Sequence, residues 1–405
     1  MNILYLDHYA GSIHHGRSFR PYYLGQEWLN DEHKLCVVAG SFSHLRYAQP
    51  DKLGFEEIDN ITYFWVWTPR YQGNGVMRFV SICVFMMQLF INVPRILRHA
   101  KPDVIIGSTV YMLDMLPGWI MKKISGAKLV FELHDLWPAS LIQIGKMPKY
   151  HPFVLLIASA QWLAYKLTDQ VISILPNTYP HMEKFGIRKD QFYYVPNGVY
   201  EPDWNQQEDL SSDLESKLTT IKKKYDFIVG YAGAHGAANE LRNLCLAAQK
   251  LQDRNIAFVL IGDGDSKQDL MTLCKTEAIQ NIYFFPKISK RQVPKVLSHM
   301  DVLYLGVPNK DLYRYGISPN KLFDYMMAQK PVIKTIMEEN DIVENSGCGI
   351  CCASSHPDAL KDVILDLYAK TPSQREEMGK KGKAYILKNY TYEILATKFI
   401  NFIKE

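Results

Sequence analysis

Three side chains in the stretch GISPNKLFDYMMAQKPVIK, residues 316–334, have the spacing that an anion carrying a ribose would need: Ser318, Lys321 and Asp324. Ser318 is a good helix N-cap, and Pro319 behind it suits the first helical position, where a missing N–H costs nothing. The unpaired N–H groups and positive dipole end of such a helix attract phosphate, with Asn320 and Lys321 in its first turn. Asp324 lies ~9 Å further along the axis at about 1.5 Å per residue. That is within reach of a ribose attached to a phosphate at the cap. An ordinary capped surface helix would have the same pattern, so the rest of the chain must decide.

A second polar group closes an apolar run. Phe131-Glu132-Leu133-His134-Asp135-Leu136-Trp137-Pro138 gathers two carboxylates, an imidazole and an indole at the expected carboxyl end of a strand. Alternation puts Glu132 and His134 on one face and Leu133 and Asp135 on the other. His134 or Asp135 could orient or deprotonate a hydroxyl, with Glu132 and Trp137 on the acceptor side. The loop HYAGSIHHGRSFRPYYL reads as a phosphate or acceptor loop. In it Gly11 and Gly16 allow tight turns, Arg17 and Arg20 open the next helix, and His15 lies between them. It lacks GxGxxG and the Lys-Ser/Thr of a P-loop, which argues against NAD and ATP chemistry. The turns Gly233-Ala234-His235-Gly236 and Ile261-Gly262-Asp263-Gly264 also end apolar runs, and Phe285-Pro286-Lys287 ends a third. Glycine turns let backbone N–H groups approach an anion.

The elements that must position these groups alternate along the chain. Strands are expected at 2–6, 34–39, 61–66, 103–106, 128–133, 170–174 and 192–195, with helices at 17–30, 76–98, 113–124, 152–167 and 179–185 between them. After Pro196-Asn197-Gly198 the pattern stops, and the polar stretch 201–225 begins with a linker. Strands at 227–232, 257–261, 282–285, 302–305, 331–334 and 349–353 follow, again interleaved with helices. Such alternation predicts two doubly wound parallel-sheet domains, 1–199 and 200–385, with the closing helix 386–405 returning to the first. Ligands of such sheets bind at the carboxyl ends of the strands, here between the domains.

Composition narrows the class. A chain of 405 residues fits two domains, and 47% hydrophobic with 22% charged residues describes an ordinary globular protein. A net charge of +4 is too small to imply nucleic acid. Seven cysteines without framework spacing point to a reducing, cytoplasmic compartment. GCGICCA reads as a buried strand and not as a metal cluster, because no Cys or His pair at zinc spacing accompanies it. A strand beginning right after Met1 leaves no room for a signal peptide in this reading. The run Phe79–Val93 is interrupted by Ser81, Gln88 and Asn92, falls short of ~20 residues and is flanked by Arg78, Arg95 and Arg98. It reads as a buried helix or as one lying in a membrane surface.

The order GYAGAHG, LIGDG, FFPKISKRQVPKVLSHMDVLYLG, SPNKLFDYMMAQKPVI and SGCGICCASSHPDAL resembles the retaining glycosyltransferases of family four, which have the GT-B fold of two Rossmann-like domains. The segment at the first loop, SFSHLR, HDLWP and PNG resemble the branch of that family that builds bacterial surface polysaccharides, such as O-antigen and capsule. The resemblance covers nearly the whole chain. It implies a nucleotide-diphospho-sugar donor, UDP-linked. The diphosphate would be held by Gly233, His235, Gly236, Arg242, Ser318, Asn320 and Lys321, with Gly11, Gly16 and Arg17. Gly262, Lys287 and Asp324 would serve the nucleoside. His134 and Asp135 would be catalytic, and His15, Arg20, Glu132 and Trp137 would lie on the acceptor side. It implies no cofactor and no metal, a lipid-linked saccharide acceptor, and attachment to the inner face of the bacterial membrane.

The chain departs from the family pattern. Counting eight residues back from Asp324, the first acid of the family's paired motif falls on Gly316, and the second is Asp in place of Glu. The family's lysine at the start of the first helix of the second domain falls near Glu240. A sugar-nucleotide epimerase, a glycan phosphorylase or a non-catalytic nucleotide-sugar-binding protein would share this architecture.

Overall fold

Short apolar runs become the strands of two sheets in the computed structural model, which describes every residue except 17–18, 74, 337–340 and 353–355. Arg17 therefore lies outside the described residues. The chain divides into two units, Met1–Pro196 with Tyr315–Ile317 and Tyr392–Glu405, and Asn197–Arg314 with Ser318–Thr391.

The first unit holds β1 (Asn2–Leu6), β2 (Lys34–Gly40), β3 (Gly54–Ile58), β4 (Ile61–Val66), β5 (Val104–Gly107), β6 (Lys128–Leu133), β7 (Gln170–Ser173) and β8 (Phe192–Tyr194), in the order β3-β4-β2-β1-β5-β6-β7-β8. All pairs are parallel except β3 with β4. The edge strand β3 is absent from the sequence reading. Its run GFEEI is half charged, which suits a solvated edge, and Asp59 and Asn60 at φ 48° and 65° form the tight turn into β4.

Strand order reverses between β1 and β5, which pair from Ile3↔Val104 to Leu6↔Gly107. Their carboxyl ends thus make a switch point where ligands of such sheets bind. Helix α1 (Arg20–Asn30) follows β1. The single helix expected at 76–98 is two, α2 (Val76–Ile91) and α3 (Val93–Ala100), bent by 63°. Pro94 explains the break, because it has no N–H to give and its ring crowds the turn before it. Asn92 sits at the break and gives its Nδ2–H to Gln88 O at 2.9 Å. Helices α4 (Met115–Ser125) and α5 (Pro152–Leu167) complete the layer used below.

The second unit holds β9 (Phe227–Ala232), β10 (Ile256–Ile261), β11 (Ile282–Phe285), β12 (Val302–Leu305), β13 (Val332–Lys334) and β14 (Gly349–Cys351), all parallel, in the order β11-β10-β9-β12-β13-β14. Its core is built from strand residues such as Val229, Phe258, Leu260 and Tyr304 and from α6 (Leu241–Gln249), α7 (Lys267–Thr276) and α9 (Pro357–Ala369). Helix α8 (Asn320–Met327) leads into β13 and buries Leu322, Phe323, Tyr325 and Met326. The switch point of this sheet lies between β9 and β12. The Gly233 turn leaves β9 there.

Candidate active site

In the second unit, two glycine turns lock together at the ends of β9 and β10. Gly233 N donates to Ile261 O at 2.9 Å, and His235 N to Asp263 O at 2.9 Å. Gly262 has φ +144°, and a Cβ there would lie 1.8 Å from Gly233 O, so no side chain fits. Helix α8 is tied to the same place. Tyr325 Oη accepts from Ala232 N at 3.0 Å, and Lys321 Nζ donates to Tyr231 Oη at 3.2 Å and to Asn239 Oδ1. Lys321 therefore rests on the Gly233 turn, with its Cε 3.5 Å from where a Cβ of Gly233 would be. Burial lowers its pKa to about 8, so its charge is poorly solvated before any anion arrives. Position 236 is open, with nothing within 4 Å of an added Cβ.

Asp324 is half-buried one turn further along α8. Its two oxygens accept from Lys290 Nζ at 2.5 and 2.6 Å. Sequence reasoning passed over Lys290, which sits in the PKISK loop after β11, and only the fold brings it to Asp324. Lys287, in the same loop, is exposed beside a surface cavity of about 630 Å³ that Tyr283 and Pro286 also line. Arg242 is exposed in the first turn of α6. The turn after β10 carries Asp263 and Asp265, but among the described residues no group of three or more His, Cys, Asp or Glu is placed to hold a metal ion.

Two expectations for this unit need correction. Helix α8 begins at Asn320, and extended Pro319 (ψ 128°) occupies the cap position. Ser318 does not cap it. Its Oγ accepts from Asn197 N at 2.9 Å and its carbonyl from Asn197 Nδ2 at 2.7 Å, which keeps the hydroxyl away from the helix N–H groups. His235 has no exposed surface, and its ring lies against Tyr231 and Phe284 with neither nitrogen hydrogen-bonded. Burial, with Lys267 nearby, lowers its pKa to about 4. Its backbone, and not its imidazole, belongs to the turn.

In the first unit, the polar group of β6 meets the switch point. His134 Nε2 lies 2.9 Å from Glu132 Oε2 and 2.7 Å from Ser108 Oγ, which itself donates to Glu132 Oε2 at 2.8 Å. Tyr5 Oη donates to the same carboxylate, and Arg20 Nε donates to its other oxygen at 2.8 Å. Burial alone would raise the pKa of Glu132. Arg20, His134 and Tyr5 reverse this and hold it well below the usual carboxylate range. An ionised Glu132 only accepts hydrogen bonds, so His134 donates Nε2–H to it, and in the neutral imidazole the lone pair is then on Nδ1. Asp7, at the end of β1, is buried in the field of His134, and burial raises its pKa.

Several residues expected here have structural duties. Arg20 is buried, and its donors go to Glu132, Val195 O at 2.8 Å and Pro196 O at 2.6 Å. It anchors the carboxylate and is not presented to an acceptor. Asp135 is likewise occupied, because its Oδ1 accepts from Leu136 N at 2.8 Å and Ser140 Oγ at 2.5 Å at the start of the short helix 139–143. Of the two candidate bases, His134 is the one whose hydrogen bonds run through a single ring nitrogen, Nε2, leaving Nδ1 outside this network. Buried His15 bonds Ser12 Oγ through Nδ1 at 2.9 Å, and the Gly11 carbonyl accepts from Tyr63 Oη at 3.0 Å. The Tyr47 ring fills the space beside Gly16, and half-buried Trp137 meets Phe153 edge to face. Tyr5, Ser108 and Asp7 were missed because they come from β1 and β5, and only register brings them to β6.

Gly316 packs in the first unit with φ +87°, and a Cβ there would stand 2.4 Å from Pro176 Cδ and Cγ. The position where the resemblance expects an acid is thus built for glycine on two independent grounds.

Residues 21–201 match the family model Glycosyltransferase Family 4, and residues 226–370 match Glycosyl transferases group 1. The two domains are those of a GT-B glycosyltransferase. Among curated proteins, a glycosyl transferase named for colanic acid biosynthesis, WcaI of Escherichia coli (strain K12), is 24% identical over half of this chain and half of its own. A protein named as a probable glycosyltransferase, WbjE of Pseudomonas aeruginosa, is 20% identical over 82% of this chain and 81% of its own. Solved structures share the fold of this glycosyltransferase. Sucrose-phosphate synthase from Thermosynechococcus elongatus superimposes with a TM-score of 0.77 at 14% identity, covering 99% of this chain and 98% of that one. Anabaena HepE in complex with UDP-glucose gives 0.67 at 14% identity, with 99% of each chain covered.

Proposed function

We propose that this glycosyltransferase moves a sugar, with retention of anomeric configuration, from a UDP-sugar to a hydroxyl of a lipid-linked saccharide in bacterial surface polysaccharide synthesis, at the inner face of the membrane. One observation carries the reading. Lys321, short of solvation, is held on the Gly233–Gly236 turn at the sheet's switch point, with Asp324 one helical turn beyond. A diphosphate at the turn would meet backbone N–H groups and a full positive charge, and an attached ribose would meet the Asp324 carboxylate. Proteins of the same fold support the substrate class: HepE is known in complex with UDP-glucose, and WaaG is a glycosyltransferase involved in lipopolysaccharide biosynthesis.

The chemistry follows from the charges. The sugar–phosphate bond breaks as negative charge builds on the leaving diphosphate, and preorganised donors there lower the barrier. Lys321 and the N–H groups of the turn take that role. On the first unit, Nδ1 of His134 accepts the proton of the incoming hydroxyl, and Glu132 steadies the imidazolium through Nε2–H. Neither a metal nor a cofactor enters the proposal.

Transfer is tested by incubating the protein with radiolabelled UDP-sugars, with and without a bacterial membrane lipid fraction. Label moving to the lipid phase with stoichiometric UDP release supports the reading. Conversion of the UDP-sugar without acceptor would favour an epimerase, and consumption that requires inorganic phosphate a phosphorylase. Nucleotide binding without turnover on any donor would mark a binding protein.

A further inference from the structure

Helix α2 is apolar on both of its long faces. Ile82, Phe85, Met86 and Leu89 pack into the first unit, as a surface helix requires. Yet the opposite stripe, Val76, Val80, Cys83, Met87 and Ile91, is also apolar and exposed, Val76 at 78% and Ile91 at 65%. No charged residue interrupts α2 after Arg78. A helix apolar all round is normally covered by something.

The stripe is not alone. Helix α4 packs against both α2 and α5, and Phe79 meets Phe153 edge to face with ring centroids 5.7 Å apart. On α4, Leu116 and Ile124 are exposed. On α5 and just before it, Leu155, Trp162 and Tyr150 are exposed. These three packed helices of the first unit therefore each expose apolar side chains, with aromatic rings of the kind that settle at lipid headgroups.

Charge identifies the occupant. Between residues 70 and 167 the chain has eleven Lys and Arg against four Asp and Glu. Of the acids, Asp114 and Glu132 are buried, Asp135 is half-buried, and only Asp103, at the amino end of β5, is exposed. Arg70, Arg95, Arg98, Lys123, Lys149 and Lys166 are all exposed. A second copy of this face would bring like charges together. An anionic headgroup layer would satisfy both the apolar stripe and the basic rim. At 16 residues α2 is about 24 Å long, shorter than the ~30 Å hydrocarbon core, and it turns by 63° into α3.

We propose that the α2–α4–α5 face of the first unit docks on a lipid bilayer rich in anionic headgroups, with α2 lying in the interface and not crossing it. This deepens the reading of a membrane-linked acceptor but is tested without it.

Cys83 supplies a reporter, since it is the exposed cysteine and lies within the stripe. The full chain, labelled there with an environment-sensitive fluorophore, is mixed with vesicles of phosphatidylglycerol and phosphatidylcholine, or of phosphatidylcholine alone. The emission should shift to the blue, and the protein should sediment, with the anionic vesicles only, and raised salt should weaken both effects. V80D/M87D should lower the partition coefficient at least about tenfold, since each change puts a charge into the interface. K123Q, K149Q and K166Q should each lower it about fivefold on anionic vesicles alone. Unchanged UDP binding and melting temperature would confirm that the variants fold. A label that stays in a watery environment on anionic vesicles would overturn the proposal. So would a dimer that V80D/M87D converts to monomer while vesicle binding stays absent. Vesicle binding without sugar transfer would leave the docking face standing and remove the acceptor reading instead.

Discussion

Replacing Lys321 by Met keeps most of the aliphatic stem and removes only the charge that rests on the Gly233 turn. In the unliganded protein that ammonium bonds Tyr231 Oη and Asn239 Oδ1, and burial holds its pKa at about 8. A charged hydrogen bond to phosphate contributes about 1.5–3 kcal/mol, so K321M should weaken UDP binding about 10–150-fold. The depressed pKa adds a signature that a general loss of structure would not have. Only the protonated lysine attracts the diphosphate, so above about pH 7 affinity should fall as pH rises through about 8. By pH 9 roughly a tenth of the unliganded protein keeps the charge, and the dissociation constant should have risen about tenfold. The nucleotide is not the source of that fall, because its terminal phosphate is already ionised above about pH 7. Isothermal titration of UDP from pH 7 to pH 9.5 measures both effects. In K321M the curve should be weak and flat, and in K321R tight and flat, since a guanidinium does not titrate there. A variant that binds within twofold of wild type, or that keeps the fall near pH 8, would refute the role of Lys321.

Four further outcomes follow from the same geometry. Asp324→Ala should weaken UDP binding by more than the ~0.5 kcal/mol of a neutral surface change, and a smaller effect would remove Asp324 from the site. Gly316→Glu, which restores the acid of the paired motif, should lower the melting temperature and bring no activity, because φ +87° and the Pro176 ring leave no room for a side chain. Restored or raised turnover would contradict the steric account. His134→Ala should leave UDP affinity unchanged and lower transfer about 10²–10⁴-fold. Glu132→Gln should instead cost stability, about 3–5 kcal/mol, by leaving buried Arg20 unpaired. The folded-state pKa of Glu132 lies below its unfolded value, so its contribution is complete above about pH 5 and is lost as pH falls. Chemical denaturation of E132Q should show that part of the acid sensitivity removed.

Much of this was legible in the sequence because the two sheets are parallel apart from the edge strand β3. Parallel strands are buried on both faces and appear as unbroken apolar runs, as in Phe227–Ala232 and Ile256–Ile261. The half-charged edge strand β3 carries no such run and went unread. The break at Asn92 was written in Val93-Pro94, but the apolar pattern continues across it and hides it. At the sites, alternation correctly paired Glu132 with His134. It could not supply Arg20, Tyr5 or Ser108, which arrive from other elements. Nor could it reveal that Arg20 and Asp135 are occupied, since a buried partner and a ligand-facing group look alike as letters. Lys290 was invisible for the same reason, because a flexible cation has no signature until the fold places a carboxylate beside it.

A crystal structure of the protein with UDP would show whether the Gly233–Gly236 turn, Lys321 and Asp324 hold the donor nucleotide. The diphosphate should lie on Lys321 Nζ and the backbone N–H groups of the turn, with the ribose hydroxyls on Asp324 and the Lys290 contact rearranged. UDP bound elsewhere, with Lys321 still on Asn239 and Asp324 still closed by Lys290, would contradict that placement.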